Sequence, residues 1–196
     1  GHWQALIPFV GSTSADSRLF GLNGGTTIYN LTPHIDSSSA SVSAGLSMSV
    51  SASAVATSYN NPETSYDWVE VNKTLLMVGS SAGAPSLRYT TALGKFEQWD
   101  ATASGDAINA MWGINVFKSR IYCWKNDTPV FYYGSVEQLT GTLNPFDLTT
   151  VFDEGANNIV SMFGMTRDGG SGPDDFATFV ADNGKAAVYQ GSNPGD

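Results

Sequence analysis

One segment of the chain concentrates carboxylates that could bind a metal ion. Residues Thr166–Asp175 read TRDGGSGPDD, which brings Asp168, Asp174 and Asp175 together among glycines. A hard cation such as Ca²⁺ takes several oxygen ligands from a flexible loop of this kind, but the EF-hand order with its distal glutamate is missing. A turn whose aspartates accept backbone N–H groups explains the pattern equally well. We therefore predict no metal site, with these three aspartates as a weak calcium candidate.

The histidines and the cysteine do not form a catalytic or zinc-binding pattern. His2 and His34 have no further histidine, cysteine or carboxylate at ligand spacing. Cys123 is the only cysteine and lies within an apolar and aromatic run, so we expect a buried, unreactive thiol. A nucleophilic triad would depend on the two histidines and is not expected.

Two common nucleotide-binding signatures are missing from the sequence. It contains no P-loop and no dinucleotide fingerprint. Scattered acids such as Asp67, Glu70 and Glu97 carry no signature of the paired carboxylates that hydrolyse glycosides. We predict that the protein is not an enzyme, with no catalytic residue and no cofactor.

Aromatic residues make up 12% of the chain and have two interpretations. Aromatic rings act as stacking platforms for sugars or single-stranded nucleic acids. In alternating strands they are more often part of a core or an interface, which we expect here. The residues concerned are Trp68, Trp99, Trp112, Trp124 and Phe131 to Tyr133.

The charge balance is acidic. Eighteen Asp and Glu against nine Lys and Arg give a formal charge of −9, and the basic residues do not cluster. This excludes a protein that holds nucleic acid through its phosphates. An acidic wall would instead let DNA slide past, while ordinary solubility is the simpler explanation. We also expect no membrane span and no signal peptide, since the sequence has no run of 18 apolar residues and no basic leader.

A β-hairpin pattern occurs four times. In each copy, two apolar or aromatic runs of about five residues flank a turn rich in Gly, Asn or Asp, the strongest local signal for a hairpin. The first runs are Arg18–Leu22, Thr74–Val78, Arg120–Trp124 and Phe176–Val180, and the second runs are Thr27–Leu31, Ser86–Thr90, Val130–Tyr133 and Ala186–Gln190.

The spacing of the copies predicts the fold. Their first strands begin 56, 46 and 56 residues apart, a period typical of propeller blades. Because a hairpin cannot bury its own face, each copy needs further strands, for which the upstream runs Trp3–Val10, Tyr66–Val71, Met111–Phe117 and Ile159–Met165 are candidates. We predict an all-β fold of repeated hairpins, a partial or complete β-propeller-like domain over residues 1–196 with almost no helix.

Three segments lie outside this repeat. Within the Ser-rich segment 37–58, residues Ser41–Ala54 alternate Ser or Gly with apolar residues, which predicts an extended strand or arm, although a flexible loop is the alternative. A capping box predicts about one helical turn at Ser135–Leu139. The segment from Gly141 to Asn158 is predicted to be rich in turns.

Several motifs resemble a family of tailed-bacteriophage and prophage proteins, the tail nozzle or tail-tube group of short-tailed phages. They lie mainly after Met111 and extend weakly upstream through Arg18–Tyr29 and Trp68–Val71. The motifs are Ile114–Tyr122, Val130–Val136, Gly141–Phe146, Thr166–Asp175 and Val188–Asp196. The Ser-rich segment has no counterpart in the family.

The resemblance implies a structural role in the virion. Members are similar to β-propeller proteins that assemble as a homo-hexameric ring below the portal and adaptor, near the tail fibres, and conduct DNA from capsid to host without binding it specifically. It implies a virion component assembled in the bacterial cytoplasm, and a chain that continues beyond the position of Asp196. A carbohydrate-binding or carbohydrate-hydrolysing propeller, such as a phage receptor-binding protein, is the alternative that the aromatics and the aspartate segment suggest.

Overall fold

The computed structural model describes residues 5–22, 28–32, 46–48, 66–79, 84–152, 158–168, 173–191 and 193–195, with the backbone alone at 46–48, 167–168 and 173–174. The chain divides into two compact units, Gly1–Trp99 and Asp100–Asp196. Each unit contains two β-sheets, and each predicted hairpin lies in a sheet of its own.

The first unit contains two sheets in which strands adjacent in sequence are also adjacent in space. The first sheet has the order β1 (Ala5–Phe9), β2 (Arg18–Leu22), β3 (Ile28–Asn30) and β4 (Leu46–Met48), and the second has β5 (Tyr66–Val71), β6 (Thr74–Gly79), β7 (Leu87–Tyr89) and β8 (Phe96–Gln98). Every pairing is antiparallel. Each sheet thus has the up-and-down order of a propeller blade.

The second unit contains the third and fourth sheets. In the third sheet, β9 (Ala101–Ala103) joins the far edge of β10 (Met111–Phe117), β11 (Arg120–Lys125), β12 (Val130–Tyr133) and β13 (Gly141–Asp147). The fourth sheet is β14 (Ile159–Asp168), β15 (Pro173–Ala181) and β16 (Ala186–Tyr189). All pairings are antiparallel except that of β13 with β9, which is parallel.

Each unit has one core to which both of its sheets contribute. In the first unit, the Tyr89 ring of the second sheet contacts Phe20 and Phe9 of the first sheet edge-on, with ring centroids 4.8 and 5.1 Å apart. In the second unit, Phe131 stacks on Phe179 of the fourth sheet at 4.4 Å. Such pairs add about 0.5–1.5 kcal/mol to the burial of their area, so aromatic contacts hold the sheets of each unit together.

The described helical segments are short. Two 3₁₀ turns lie at Ser14–Asp16 and Ile108–Ala110, and the described part of the α-helix α1 is Thr149–Phe152. Phe152 of α1 packs into the core of the second unit. Across the part of the chain that the structure describes, no helix has the length and apolar character needed to cross a membrane.

The structure confirms the all-β, propeller-like fold of repeated hairpins. All four hairpins form, and each upstream run supplies a third strand, namely β1, β5, β10 and β14. The turns of the first and second hairpins lie partly outside the described residues. Of the predicted strand Ser41–Ala54, residues Leu46–Met48 form β4 and the rest lie outside the described residues.

Two local predictions are wrong. Ser135–Leu139 forms turns instead of a helix, because Glu137 adopts a φ of 59° and donates its N–H to the Ser119 carbonyl at 2.7 Å. The segment after Gly141 begins with the seven-residue strand β13 instead of turns. Pro145 is tolerated in it because the pairing with β9 ends at Leu143, which leaves that side of the strand as an edge.

Candidate functional site

The predicted calcium ligands lie on paired strands instead of within a single loop. Asp168 ends β14, while Asp174 and Asp175 belong to β15 and pair with Arg167 and Thr166. Because successive strand residues alternate between faces, Asp174 and Asp175 occupy positions on opposite faces of the sheet. The loop between β14 and β15 is therefore shorter than the segment Thr166–Asp175 that the sequence suggested.

The cross-strand neighbour of Asp175 accounts for one of its hydrogen bonds. Thr166 Oγ1 donates to Asp175 Oδ1 at 2.7 Å. No group of three or more His, Cys, Asp or Glu is arranged to bind a metal among the residues that the structure describes. The side chains of Asp168 and Asp174 lie outside the described residues, as do His2 and His34. The calcium candidate therefore stays a prediction.

The structure brings together a different set of polar residues, Asp106, Lys125 and Tyr132, which we call the polar cluster. Asp106 follows β9 in a tight turn, Lys125 ends β11 and Tyr132 lies in β12. Lys125 Nζ lies 2.9 Å from each carboxylate oxygen of Asp106, and the Tyr132 hydroxyl donates to Oδ2 of the same carboxylate. Both charged side chains are partly buried. The cluster thus ties the β9 turn to the centre of the third sheet.

The electrostatics of the polar cluster favour an ionised carboxylate. The hydrogen bond from Tyr132, with a smaller contribution from Lys125, holds the pKa of Asp106 below its usual value. Burial, followed by the neighbouring Asp106, raises the pKa of Tyr132. Neither group is poised to exchange a proton near neutral pH, which general acid–base catalysis requires. The arrangement therefore suits binding or structural support.

A β-bulge in β10 exposes a tryptophan. The register of β10 against β11 passes from Met111–Lys125 to Gly113–Trp124, so Trp112 is the extra residue. Its side chain is 41% exposed. A Cβ atom at Gly113 would overlap the Trp124 indole, so glycine is needed here for that ring to pack against the strand. Bulges commonly re-aim side chains in this way.

The other candidate residues take structural roles. Glu70 accepts the Val10 N–H at 2.6 Å, and Glu97 forms an ion pair with Arg88 at 2.6 Å. Asp67 accepts the N–H of Trp68 at 3.0 Å. Cys123 is fully buried, as predicted.

The expected core role of the aromatics is confirmed for most of them. Trp99, Trp124 and the run Phe131 to Tyr133 are buried, and Trp68 packs against the core of the first unit. Trp112 is the exception. The sequence contained no signal for the polar cluster, because its three residues belong to separate elements that only the folded sheet brings together.

Comparisons with known proteins do not assign the chain to a family: no family model matches it, and no curated protein matches it.

Proposed function

We propose that the protein is a structural virion component, a subunit of the tail nozzle or tail-tube ring of a short-tailed phage that conducts DNA from the capsid to the host. The observation that carries this proposal is the resemblance of its motifs to that family. The proposed partners are further copies in a homo-hexameric ring, the portal and adaptor proteins above it, and the tail fibre proteins.

The positions of the motifs support the proposal. Residues 114–122 run through the β10–β11 hairpin, 130–136 include β12, and 141–146 lie in β13. The motifs therefore follow consecutive paired strands of one sheet, where substitutions disturb packing and pairing. Resemblance along such a framework supports a shared fold, which the proposed role requires.

The charge of the chain supports a passage for DNA. With a formal charge of −9, the protein repels the phosphate backbone at ordinary ionic strength. A conduit that binds DNA weakly does not hold it back during ejection. Fluorescence anisotropy with labelled duplex DNA at low salt checks this property, and we expect no binding up to high micromolar protein.

Electron microscopy of virions provides the main test. Immunogold labelling with antibodies against this chain should mark particles directly below the head, and purified full-length protein should form symmetric rings. An antibody against the major capsid protein is the control for labelling efficiency. Absence of the protein from virions whose capsids are labelled would overturn the proposal. A gene position beside portal and terminase genes would give independent support.

Exposed Trp112 favours a second candidate function, carbohydrate binding. An exposed aromatic ring is a group on which a sugar ring can stack, and the Trp112 side chain is 41% exposed. A glycan array is the test. Binding that is lost in Trp112→Ala, or in variants of Asp168, Asp174 or Asp175, would support this function, whereas an array without signal would exclude it.

A further inference from the structure

The strand β9 forms the far edge of the third sheet with little side-chain packing of its own. Ala101, Thr102 and Ala103 pair in parallel with Gly141–Leu143 of β13, and among the described residues no strand lies on the other side of β9. Parallel pairing is slightly less stable per residue than antiparallel pairing. The two alanines are buried and the threonine is exposed, so β9 buries no side chain larger than a methyl group. Packing alone therefore holds β9 weakly.

The corresponding edge strand of the second sheet, β8, is anchored by an aromatic side chain. Phe96 of β8 is fully buried, and the centroid of its ring lies 4.9 Å from that of Phe20 and 5.2 Å from that of Tyr89. Detaching β8 would therefore open the core of the first unit. Detaching β9 would take no aromatic ring out of a core, because β9 contains none.

The polar cluster supplies the strongest contacts that hold the end of β9. Asp106 donates its N–H to the Ala103 carbonyl at 3.2 Å, which closes the turn after β9. The Asp106 carboxylate then binds Lys125 of β11 and Tyr132 of β12. Hydrogen bonds to an ionised group are roughly twice as strong as neutral ones. One carboxylate thus fixes the end of β9 to two central strands of the sheet.

The turn after β9 lies in open space. Ser104 and Gly105 are exposed, and Gly105 has a φ of 83°. A Cβ atom at Gly105 would meet no heavy atom within 4 Å. Segments with few buried apolar contacts and exposed backbone open before the rest of a protein does. The surroundings of β9 therefore do not hinder its movement away from β13.

We propose that β9 is a detachable cover on the edge of β13, held by the polar cluster, and that it opens while the rest of the third sheet stays folded. In the closed form the free edge of β13 is Asn144–Asp147, in which Pro145 has no N–H to donate. In the open form the free edge is the whole of β13, seven residues and as long as an ordinary strand. Such an edge pairs with further strands unless it is covered. The cover does not depend on the proposed phage function.

Native-state hydrogen exchange of the full 196-residue chain, followed by NMR at increasing urea concentration, tests the opening. Ser104 donates its N–H to Leu143 at 2.9 Å and reports on β9. Trp99, at the end of β8, and Gly134, after β12, donate comparable backbone bonds at 2.8 and 2.9 Å. Ser104 should exchange faster than both and with little dependence on urea, because opening β9 exposes little surface. Trp99 and Gly134 should depend steeply on urea.

Variants of the polar cluster test what holds the cover. Asp106→Asn should speed Ser104 exchange about thirtyfold and leave it insensitive to urea, since the ionised acceptor is lost. Tyr132→Phe, which keeps the ring in place, should speed it about tenfold and replaces the first variant if that one does not fold. Glu97→Gln, at the edge of the second sheet, is the control and should leave Ser104 unchanged.

Two exchange results would overturn the proposal. A urea dependence at Ser104 as steep as at Gly134 in the wild type would mean that β9 leaves only when the sheet unfolds. Unchanged Ser104 exchange in both polar-cluster variants would mean that the carboxylate does not hold the strand.

A disulfide across the β9–β13 pair distinguishes movement of the strand from movement of its turn alone. The hydroxyls of Thr102 and Thr142 lie 3.2 Å apart on the paired strands, so Thr102→Cys with Thr142→Cys places two thiols side by side. Oxidation should slow Ser104 exchange to the rate of Gly134, and reduction should restore it. Rapid exchange at Ser104 in the oxidised protein would show that only the turn moves, which would overturn the detachable cover.

Strand pairing at the uncovered edge gives a second readout. During incubation at high concentration, Asp106→Asn should gain thioflavin T fluorescence faster than Glu97→Gln, because its β13 edge is open more often. The oxidised disulfide in the Asp106→Asn background should suppress this gain. A gain that the disulfide does not suppress would show that pairing occurs elsewhere and that β9 does not protect this edge.

Discussion

The second and third sheets begin with the same hairpin and end differently. Val71–Thr74 and Phe117–Arg120 occupy equivalent positions, 46 residues apart, and each pair closes a two-residue turn. Both residues of each turn have positive φ, at 49° and 59° for Asn72 and Lys73 and at 48° and 57° for Lys118 and Ser119. These are type I′ turns, whose twist matches that of the strands they join.

The sheets differ at the opposite edge. The second sheet ends with β8, where Arg88 and Glu97 are register partners and form an ion pair. The third sheet continues from β13 to the parallel strand β9, which the polar cluster anchors through Asp106. The start of each sheet is thus encoded by adjacent residues, whereas the far edge of the third sheet depends on contacts between distant segments.

The largest expected loss of stability comes from a substitution at a position where the two hairpins differ. Gly113 and Asp67 are equivalent positions, paired with Trp124 and Val78. Gly113→Ala forces a Cβ atom into the Trp124 indole and should lower the free energy of unfolding by about 3 kcal/mol. Asp67→Ala, the matched control, has no such overlap and should cost about 0.5 kcal/mol. Urea denaturation followed by tryptophan fluorescence measures both, and equal costs would contradict this account of the bulge.

The next largest loss of stability distinguishes the far edge of the third sheet from that of the second sheet. Asp106→Asn removes the charge that binds Lys125 and Tyr132 and should cost about 2 kcal/mol at neutral pH. Glu97→Gln breaks the more local pair with Arg88 and should cost about 0.5 kcal/mol. Urea denaturation of both variants measures the difference. A cost for Glu97→Gln as large as that for Asp106→Asn would show that both edges are held equally.

The pH dependence of the same variant identifies the ionised carboxylate. The folded protein lowers the pKa of Asp106, so its stabilisation is present above the pKa of the unfolded carboxyl, about 4. It is lost as the pH falls through the lower folded value. The difference in stability between wild type and Asp106→Asn should therefore shrink below about pH 4. A constant difference from pH 7 to acid would mean that the charge of Asp106 contributes nothing.

The same contrast explains what the sequence could predict. The hairpins and their upstream strands were predicted because alternation and turn residues are local properties, as at Val71–Thr74. The pairing of β9 with β13 was missed because β9 has three residues and its partner is about 40 positions away. The prediction of turns from Gly141 onward failed for a similar reason, since pairing with β9 at Gly141–Leu143 and with β12 at Asn144–Asp147 outweighed the local signal of Pro145.

The candidate site was predictable to a smaller extent. The aspartate segment could be recognised from composition, but its division between two paired strands, with Asp174 opposite Arg167 and Asp175 opposite Thr166, depends on the strand register. The polar cluster could not be predicted from the sequence, because Asp106, Lys125 and Tyr132 share no spacing that a single element would produce. Trp112 was visible as an aromatic residue, but its exposure results from a bulge that Gly113 permits.

The smallest expected effect tests whether the two turns are equivalent. Lys73→Gly and Ser119→Gly relieve a positive φ and should each stabilise the protein by about 0.5 kcal/mol, because the relief exceeds the added entropy of the unfolded chain. Lys95→Gly is the control, an exposed position without positive φ, and should destabilise by a similar amount. Thermal denaturation measures all three. Stabilisation at one turn and destabilisation at the other would contradict the equivalence of the two turns, because glycine would then relieve backbone strain in only one of them.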